Sequence, residues 1–320
     1  MERAFEKSVC LGTAVAYAFL LFFISLPNGL ILVALYRNPL RCFRKAFSVF
    51  LAFIAAVDLF NGVVACFGKV IIRFICAFGE GQISQEGDII TILEYTGVNS
   101  SILLVTAMTV DRFISVVFPH FYLHKVNPWK LVACNTTIVI FSSIFASLQL
   151  TGISIDVYVS IDIHLHTTFP LATCFSAYLG IFFVLRKRSR VDLQRQSCTL
   201  NNPELHDMRR LRVAQMERKL VTTSFFILLF LIISLVPYFA AILLEENCSG
   251  CGGKKWFLVL RESTIAFLYI NSMVNPFLTT YRIKELQHSV KSVLGLMRRD
   301  TENNSVSVLP PTSLRNAFSM

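Results

Sequence analysis

One apolar stretch carries ionisable side chains at both ends. Residues 88–119 read DIITILEYTGVNSSILLVTAMTVDRFISVVFP, with Glu94 near the start and Asp111-Arg112 near the end. Glu94 and Arg112 are eighteen residues apart, so on a helix they share one face, about five turns and roughly 27 Å apart. Charges on such a stretch are costly in hydrocarbon and must face a packed bundle or a water-filled cavity. A partly buried acid in a bundle mouth attracts a cationic group. Glu94 is therefore a candidate for recognising a cationic ligand. The other reading has it protonated, or bonded to a neighbouring helix, with Lys69 or Arg73 as partner. One helix thus offers a charge towards one membrane face and a charge pair at the other, as a device that senses on one side and reports on the opposite side requires.

A second set of polar residues sits deep inside other apolar runs: Asn28, Asp58, Ser101, Asn271, Ser272 and Asn275. Each alone reads as a structural hydrogen-bonding residue. Together they read as one shared polar pocket at mid-depth. A lone carboxylate such as Asp58 needs partners or a cation there. Hard oxygen ligands around a single negative charge suit sodium, the one candidate metal and cofactor, or a proton. Cys248 and Cys251 form a third constellation, in ENCSGCGGKKW. The spacing reads as a local disulfide, with free thiols or a bound metal as alternatives. Asn247-Cys248-Ser249 is also a glycosylation sequon. Cys10, Cys42, Cys66, Cys76, Cys134, Cys174 and Cys198 are scattered and read as small buried hydrophobes.

The elements that position these residues follow from composition. The chain has 320 residues, 54% hydrophobic and 16% charged, with a mean hydropathy of +0.60. That excludes an ordinary soluble domain and fits a polytopic membrane protein. Seven runs are long enough to span a bilayer: 13–36, 46–72, 88–118, 130–151, 167–186, 220–244 and 257–281. None shows barrel alternation, so the fold class is all-α, a bundle of seven transmembrane helices. The net charge of +10 comes from basic residues clustered in alternate linkers, such as Arg37, Arg41, Arg44 and Lys45. Positive-inside topology explains them and nucleic acid does not. It puts the N-terminus outside and the C-terminus in the cytosol; the plasma membrane is the expected location. Residues 1–12 read as an extracellular N-terminus and 13–281 as the membrane domain. Segment 282–299 reads as an amphipathic helix lying on membrane lipid, and 300–320 as a disordered tail.

The ordered set of motifs resembles the rhodopsin-like (class A) G-protein-coupled receptors. The resemblance rests on Asn28 in LPNGLILVALYRNP, Asp58 in FLAFIAAVDLF, and Asp111-Arg112-Phe113 with Pro119 seven residues on. It continues through Pro170 with Tyr178 eight residues on, Pro237 in SLVPY, and Asn275-Pro276. It covers all seven spans, in order. It implies a receptor that turns binding of an extracellular ligand, a small molecule such as a cationic amine or a peptide, into activation of a heterotrimeric G protein. Asp111, Arg112, Tyr178, Pro237, Asn275 and Pro276 would form its activation switch. Glu217, twenty residues before Pro237, would hold Arg112 at rest. The sequence departs from the family pattern in four places. Gly87 stands where helix three usually has a cysteine, Leu235 replaces the helix-six aromatic, Tyr281 falls two places late, and helix four lacks its mid-helix Trp. The missing cysteine, a short second outer loop and cysteines in the third outer loop together resemble melanocortin receptors, although Pro170 is not typical of them. Lipid-type receptors also dispense with the helix-three bridge. A signalling-impaired receptor is one alternative, and a transporter or channel another. No nucleophile–base set or phosphate loop supports an enzyme. A retinal protein would need a lysine within the seventh span, and 256–281 has none.

Overall fold

A backbone in hydrocarbon must satisfy its own N–H and C=O groups, so each apolar run folds as a helix. The computed structural model describes residues 2–37, 46–79, 89–198, 205–248, 250–251 and 254–296. Side chains at 189–198 and 205–220 fall outside that description, and with them Glu217 and Cys198. Gly87, Cys42 and the tail 300–320 also lie outside the described residues. Seven helices are long and apolar enough to cross a membrane: Arg3–Arg37, Phe47–Phe78, Ile89–Val117, Pro128–Thr151, Ile155–Arg188, Val221–Glu245 and Lys255–Arg282. They are called spans one to seven below. Being odd in number, they place the two chain ends on opposite faces, called here the N-terminal and C-terminal faces.

Two boundaries differ from the sequence reading. The first helix starts at Glu2, so most of the segment read as a separate N-terminus continues the first span. The fifth starts at Ile155 and passes through a wide turn at His164–Thr168, so most of the loop expected at 152–166 is helical. Hydropathy had set that stretch aside because Asp156, Asp162, His164 and His166 interrupt its apolar residues.

The outer surface is apolar. Phe19, Phe22, Phe74, Phe182 and Phe183 are each more than half exposed, a surface suited to lipid. The interior mixes a hydrophobic core, including Ile31, Ile54, Leu104, Met108, Ile227 and Leu231, with buried polar groups. Proline placement explains one of these groups. Pro276 lies inside the seventh span and lacks the N–H that would bond the carbonyl four residues back, at Ser272. Asn28 Nδ2 of span one donates to that carbonyl at 3.1 Å. A neighbouring helix thus supplies the missing bond.

Two short helices finish the C-terminal face. Pro119–Lys125 follows span three. Lys284–Val293 lies after span seven, with Leu286 fully buried, and packs on spans one and seven.

Candidate functional site

A cavity of about 340 Å³ lies between spans two, three, five, six and seven near the N-terminal face. Its charges are arranged in pairs. Lys69 and Arg73 of span two are four residues apart, on one helix face, and both are buried. Lys69 Nζ lies 2.6 Å from Glu94 Oε2 of span three. Tyr269 of span seven donates its hydroxyl to Glu94 Oε1 at 2.9 Å. Arg73 Nη2 lies 2.6 Å from Glu262 Oε2 of span seven, while Arg73 Nε, Arg73 Nη1 and Glu262 Oε2 have no hydrogen-bond partner among the described residues. On the far wall Asn99 of span three donates to Asp162 Oδ1 of span five at 2.7 Å. His166 Nδ1 also lies 2.9 Å from that oxygen. The rim pair, Arg261 with Glu245 at 3.9 Å, is partly exposed.

The ion pairs link two and three, two and seven, and six and seven, and the Asn99–Asp162 hydrogen bond links three and five. Each desolvated pair contributes little net stability, because desolvation offsets attraction. Removing one partner is different, costing about 3–5 kcal/mol through the stranded charge. The Lys69 partner was one of the alternatives open for Glu94 in the sequence. The Arg73–Glu262 pair and Asp162 were not singled out. The signal for the first was a Lys-x-x-x-Arg pair on an apolar helix, which needs acids facing it.

Val98, Ile102, Leu235 and Leu268 also line a second, very small cavity of about 10 Å³ with Asn61, Ser101, Asn271 and Ser272. That volume is roughly one water's worth. Beside it Asp58, fully buried, accepts from Ser272 Oγ at 2.6 Å, Asn275 Nδ2 at 3.0 Å and Ser101 Oγ at 3.4 Å. Spans two, three and seven thus meet on one carboxylate. Asn28 reaches this cluster through the Ser272 backbone and not through Asp58. Asn271 Oδ1 and Asn275 Oδ1 are buried without hydrogen-bond partners among the described residues. A carboxylate, two hydroxyls and two spare amide oxygens form an all-oxygen donor set that fits a small hard cation. Gly97 is required by this packing: a Cβ there would lie 1.7 Å from Asn61 Oδ1.

At the C-terminal face Arg112 folds back onto Asp111, with Nε donating to Asp111 Oδ2 at 3.0 Å. Tyr122 of the short helix Pro119–Lys125 donates to Asp111 Oδ1 at 2.8 Å and receives Arg112 Nη2 at 3.3 Å. Burial, followed by the Asp111 charge, pushes the Tyr122 hydroxyl pKa above its ordinary value, so it stays protonated as a donor. The Arg112 guanidinium also lies over the Phe47 ring, 5.7 Å from its centre. Sequence reasoning missed Tyr122, whose only signal was an aromatic in a short linker. Tyr178 meets Phe225 edge to face between spans five and six. Pro237 sits inside the helix Leu205–Asn247.

Cys248 and Cys251 are joined by a disulfide in the linker before span seven. A second disulfide, Cys10–Cys76, corrects the reading of those two cysteines as free hydrophobes. They are 66 residues apart, in helices whose adjacency the sequence did not reveal. The bond ties the start of span one to the end of span two. Cys66, Cys134 and Cys174 are free. Asn247 is exposed at the end of its helix.

A family model described as 7 transmembrane receptor (rhodopsin family) matches residues 27–278. The chain belongs to that family. This receptor is also 24% identical to human lysophosphatidic acid receptor 3 over 324 aligned positions, covering 96% of this chain and 84% of that one. It is a multi-pass membrane protein and a receptor of the G-protein-coupled class, not an enzyme.

Proposed function

We propose that this receptor lies in the plasma membrane with its N-terminal face outside. The basic linkers Arg37–Lys45 and Arg186–Lys219 support that orientation. A ligand, a small molecule or a peptide segment, enters the cavity above Leu235 and rearranges the pairs Lys69–Glu94 and Arg73–Glu262. A heterotrimeric G protein docks on the opposite face, against Arg112 and the helix Pro119–Lys125. Asn247 faces outside in this orientation and carries a glycan, whose removal by a glycosidase would be seen as a mobility shift.

One observation carries the reading. Span three holds Glu94 in the open cavity and Arg112 at the other face, and the Asp58 cluster joins it to spans two and seven between them. A ligand that prefers one arrangement of the upper pairs shifts the population of bundle packings, and Arg112 reports the shift. Asp111, Tyr178, Pro237, Asn275 and Pro276 belong to the moving parts. Glu217 would hold Arg112 at rest.

Glu94 already has Lys69 as its counter-ion and Tyr269 as a donor. An amine ligand would have to displace Lys69. Glu94 is therefore read as a ligand-sensitive member of the lattice and not as a free anchor for a cation. The relative named for lysophosphatidic acid makes acyl phosphates a reasonable class to screen. Asp58 with Ser101, Asn271 and Asn275 would hold sodium in the resting packing, where the ion would supply the counter-charge this carboxylate lacks.

The test is guanine-nucleotide exchange on membranes holding the receptor, screened with amines, peptides and lipids. Arg112→Ala is expected to abolish the response at unchanged surface expression. A full response in Arg112→Ala would defeat this assignment of the G-protein face.

A further inference from the structure

We infer that Arg73 is the anchor for an acidic group, a carboxylate or a phosphate, on an otherwise apolar ligand. The inference rests on the cavity being a ligand site. Arg73 is only 3% exposed and lines the cavity. It carries five N–H donors, yet it meets Glu262 only as a close ion pair with no hydrogen bond, and Nε, Nη1 and Glu262 Oε2 are all left without hydrogen-bond partners among the described residues. Buried guanidinium donors are satisfied in nearly all folded proteins. An acid group on Arg73 would take up these donors with charge-assisted bonds. Lys69 is spent differently, since its Glu94 partner also receives the Tyr269 hydroxyl.

The rest of the cavity sets the other half of the ligand. Arg73 lies towards the N-terminal face, one helical turn beyond Lys69. Deeper in, Lys69 is paired with Glu94 and Asn99 with Asp162, and the lining between them is apolar: Val98, Ile102, Leu235, Ile265 and Leu268. A ligand with its acid on Arg73 therefore points an apolar body down towards Leu235. Five acids, Glu94, Asp156, Asp162, Glu245 and Glu262, line the cavity against Lys69, Arg73 and Arg261. Glu94 and Glu262 are paired with Lys69 and Arg73, Asp162 accepts from Asn99, and Asp156 and Glu245 are exposed, so that water and salt screen them. Desolvation favours the buried cation as the selective contact.

The experiment uses the full-length receptor in nanodiscs, with thermal stabilisation as the binding readout. The probes are octyl phosphate, octanoate, octan-1-ol and octylamine, which share one apolar body. Octyl phosphate and octanoate are expected to stabilise the receptor at concentrations at least tenfold below octan-1-ol. Whichever of the two is stronger distinguishes phosphate from carboxylate recognition. The double variant Arg73→Gln/Glu262→Gln removes both charges of the pair without stranding either. It is expected to lose that tenfold preference and to respond to octan-1-ol as the unaltered receptor does. Equal stabilisation by all four probes, a preference for octylamine, or an unchanged phosphate preference in the double variant would overturn the anchor. Nucleotide exchange is measured on the same membranes. Acid-selective stabilisation without exchange would leave Arg73 in place and count against the signalling reading alone.

Discussion

The two ends of span three hold their charges in opposite ways. At the N-terminal face, Glu94 is held by side chains from spans two and seven. At the C-terminal face, Arg112 is held by the residue before it and by Tyr122, ten residues on. The upper contacts are bonds between helices. Among the described residues, the lower ones close within one helix and the short helix after it, apart from the ring of Phe47. The upper end therefore contributes to how the bundle is assembled, whereas the lower end can keep its own contacts while the helices around it move. In this molecule the cavity and the opposite face hold their charges by different chemistry.

Breaking the upper end should cost most. Lys69→Met strands Glu94 in a buried site and is expected to destabilise the bundle by about 3–5 kcal/mol. Lys69→Met/Glu94→Gln should recover most of that. The melting temperature of the purified receptor decides it, and a single variant as stable as the parent would contradict the pairing. Cys10→Ser/Cys76→Ser releases the link between spans one and two across 66 residues. A loss of about 2–4 kcal/mol is expected, seen as the drop in melting temperature that a reductant also produces in the parent. Gly97→Ala pushes a methyl into Asn61 Oδ1 and should cost about 1–3 kcal/mol as overpacking. Gly97→Ala/Asn61→Ala should be milder than the single change, because the obstructing amide is gone. The lower end should give the smallest effect on stability. Tyr122→Phe removes one donor to Asp111 and is expected to cost about 1 kcal/mol. Its clearer signature is a change in basal nucleotide exchange at nearly unchanged melting temperature. A large stability loss there would erase the contrast between the two ends.

Much of the frame was legible because bilayer length and backbone satisfaction leave few alternatives. Seven apolar runs of sufficient length became seven helices. The polar residues within those runs were also legible as interior, since lipid would penalise them. Their individual partners were not. That Asn28 would serve the Ser272 carbonyl depends on Pro276, 248 residues away in the chain and adjacent only in the folded bundle. Asp162 was assigned to a loop because polar residues broke the apolar run. Asp156 and Asp162 break it because they line the cavity. The Cys10–Cys76 bond was hidden for the same reason as Arg73–Glu262: helix adjacency is a property of the packing, and neither residue carries a local pattern that announces its partner.

The helix Leu205–Asn247 is 43 residues long, about 64 Å at its usual rise, against a hydrocarbon thickness of about 30 Å. Pro237 stands in the third of it nearest the N-terminal face, with roughly 48 Å of rod between it and Leu205. A rod pivoting at that proline is a mechanical amplifier. A tilt of about 10° would sweep the Leu205 end through roughly 8 Å, while the Leu235 side chain beside the pivot moves by less than about 1 Å, given the same rise per residue. Sub-ångström adjustments at the bottom of the cavity are therefore enough, by lever arithmetic alone, to clear space for a protein segment on the far side.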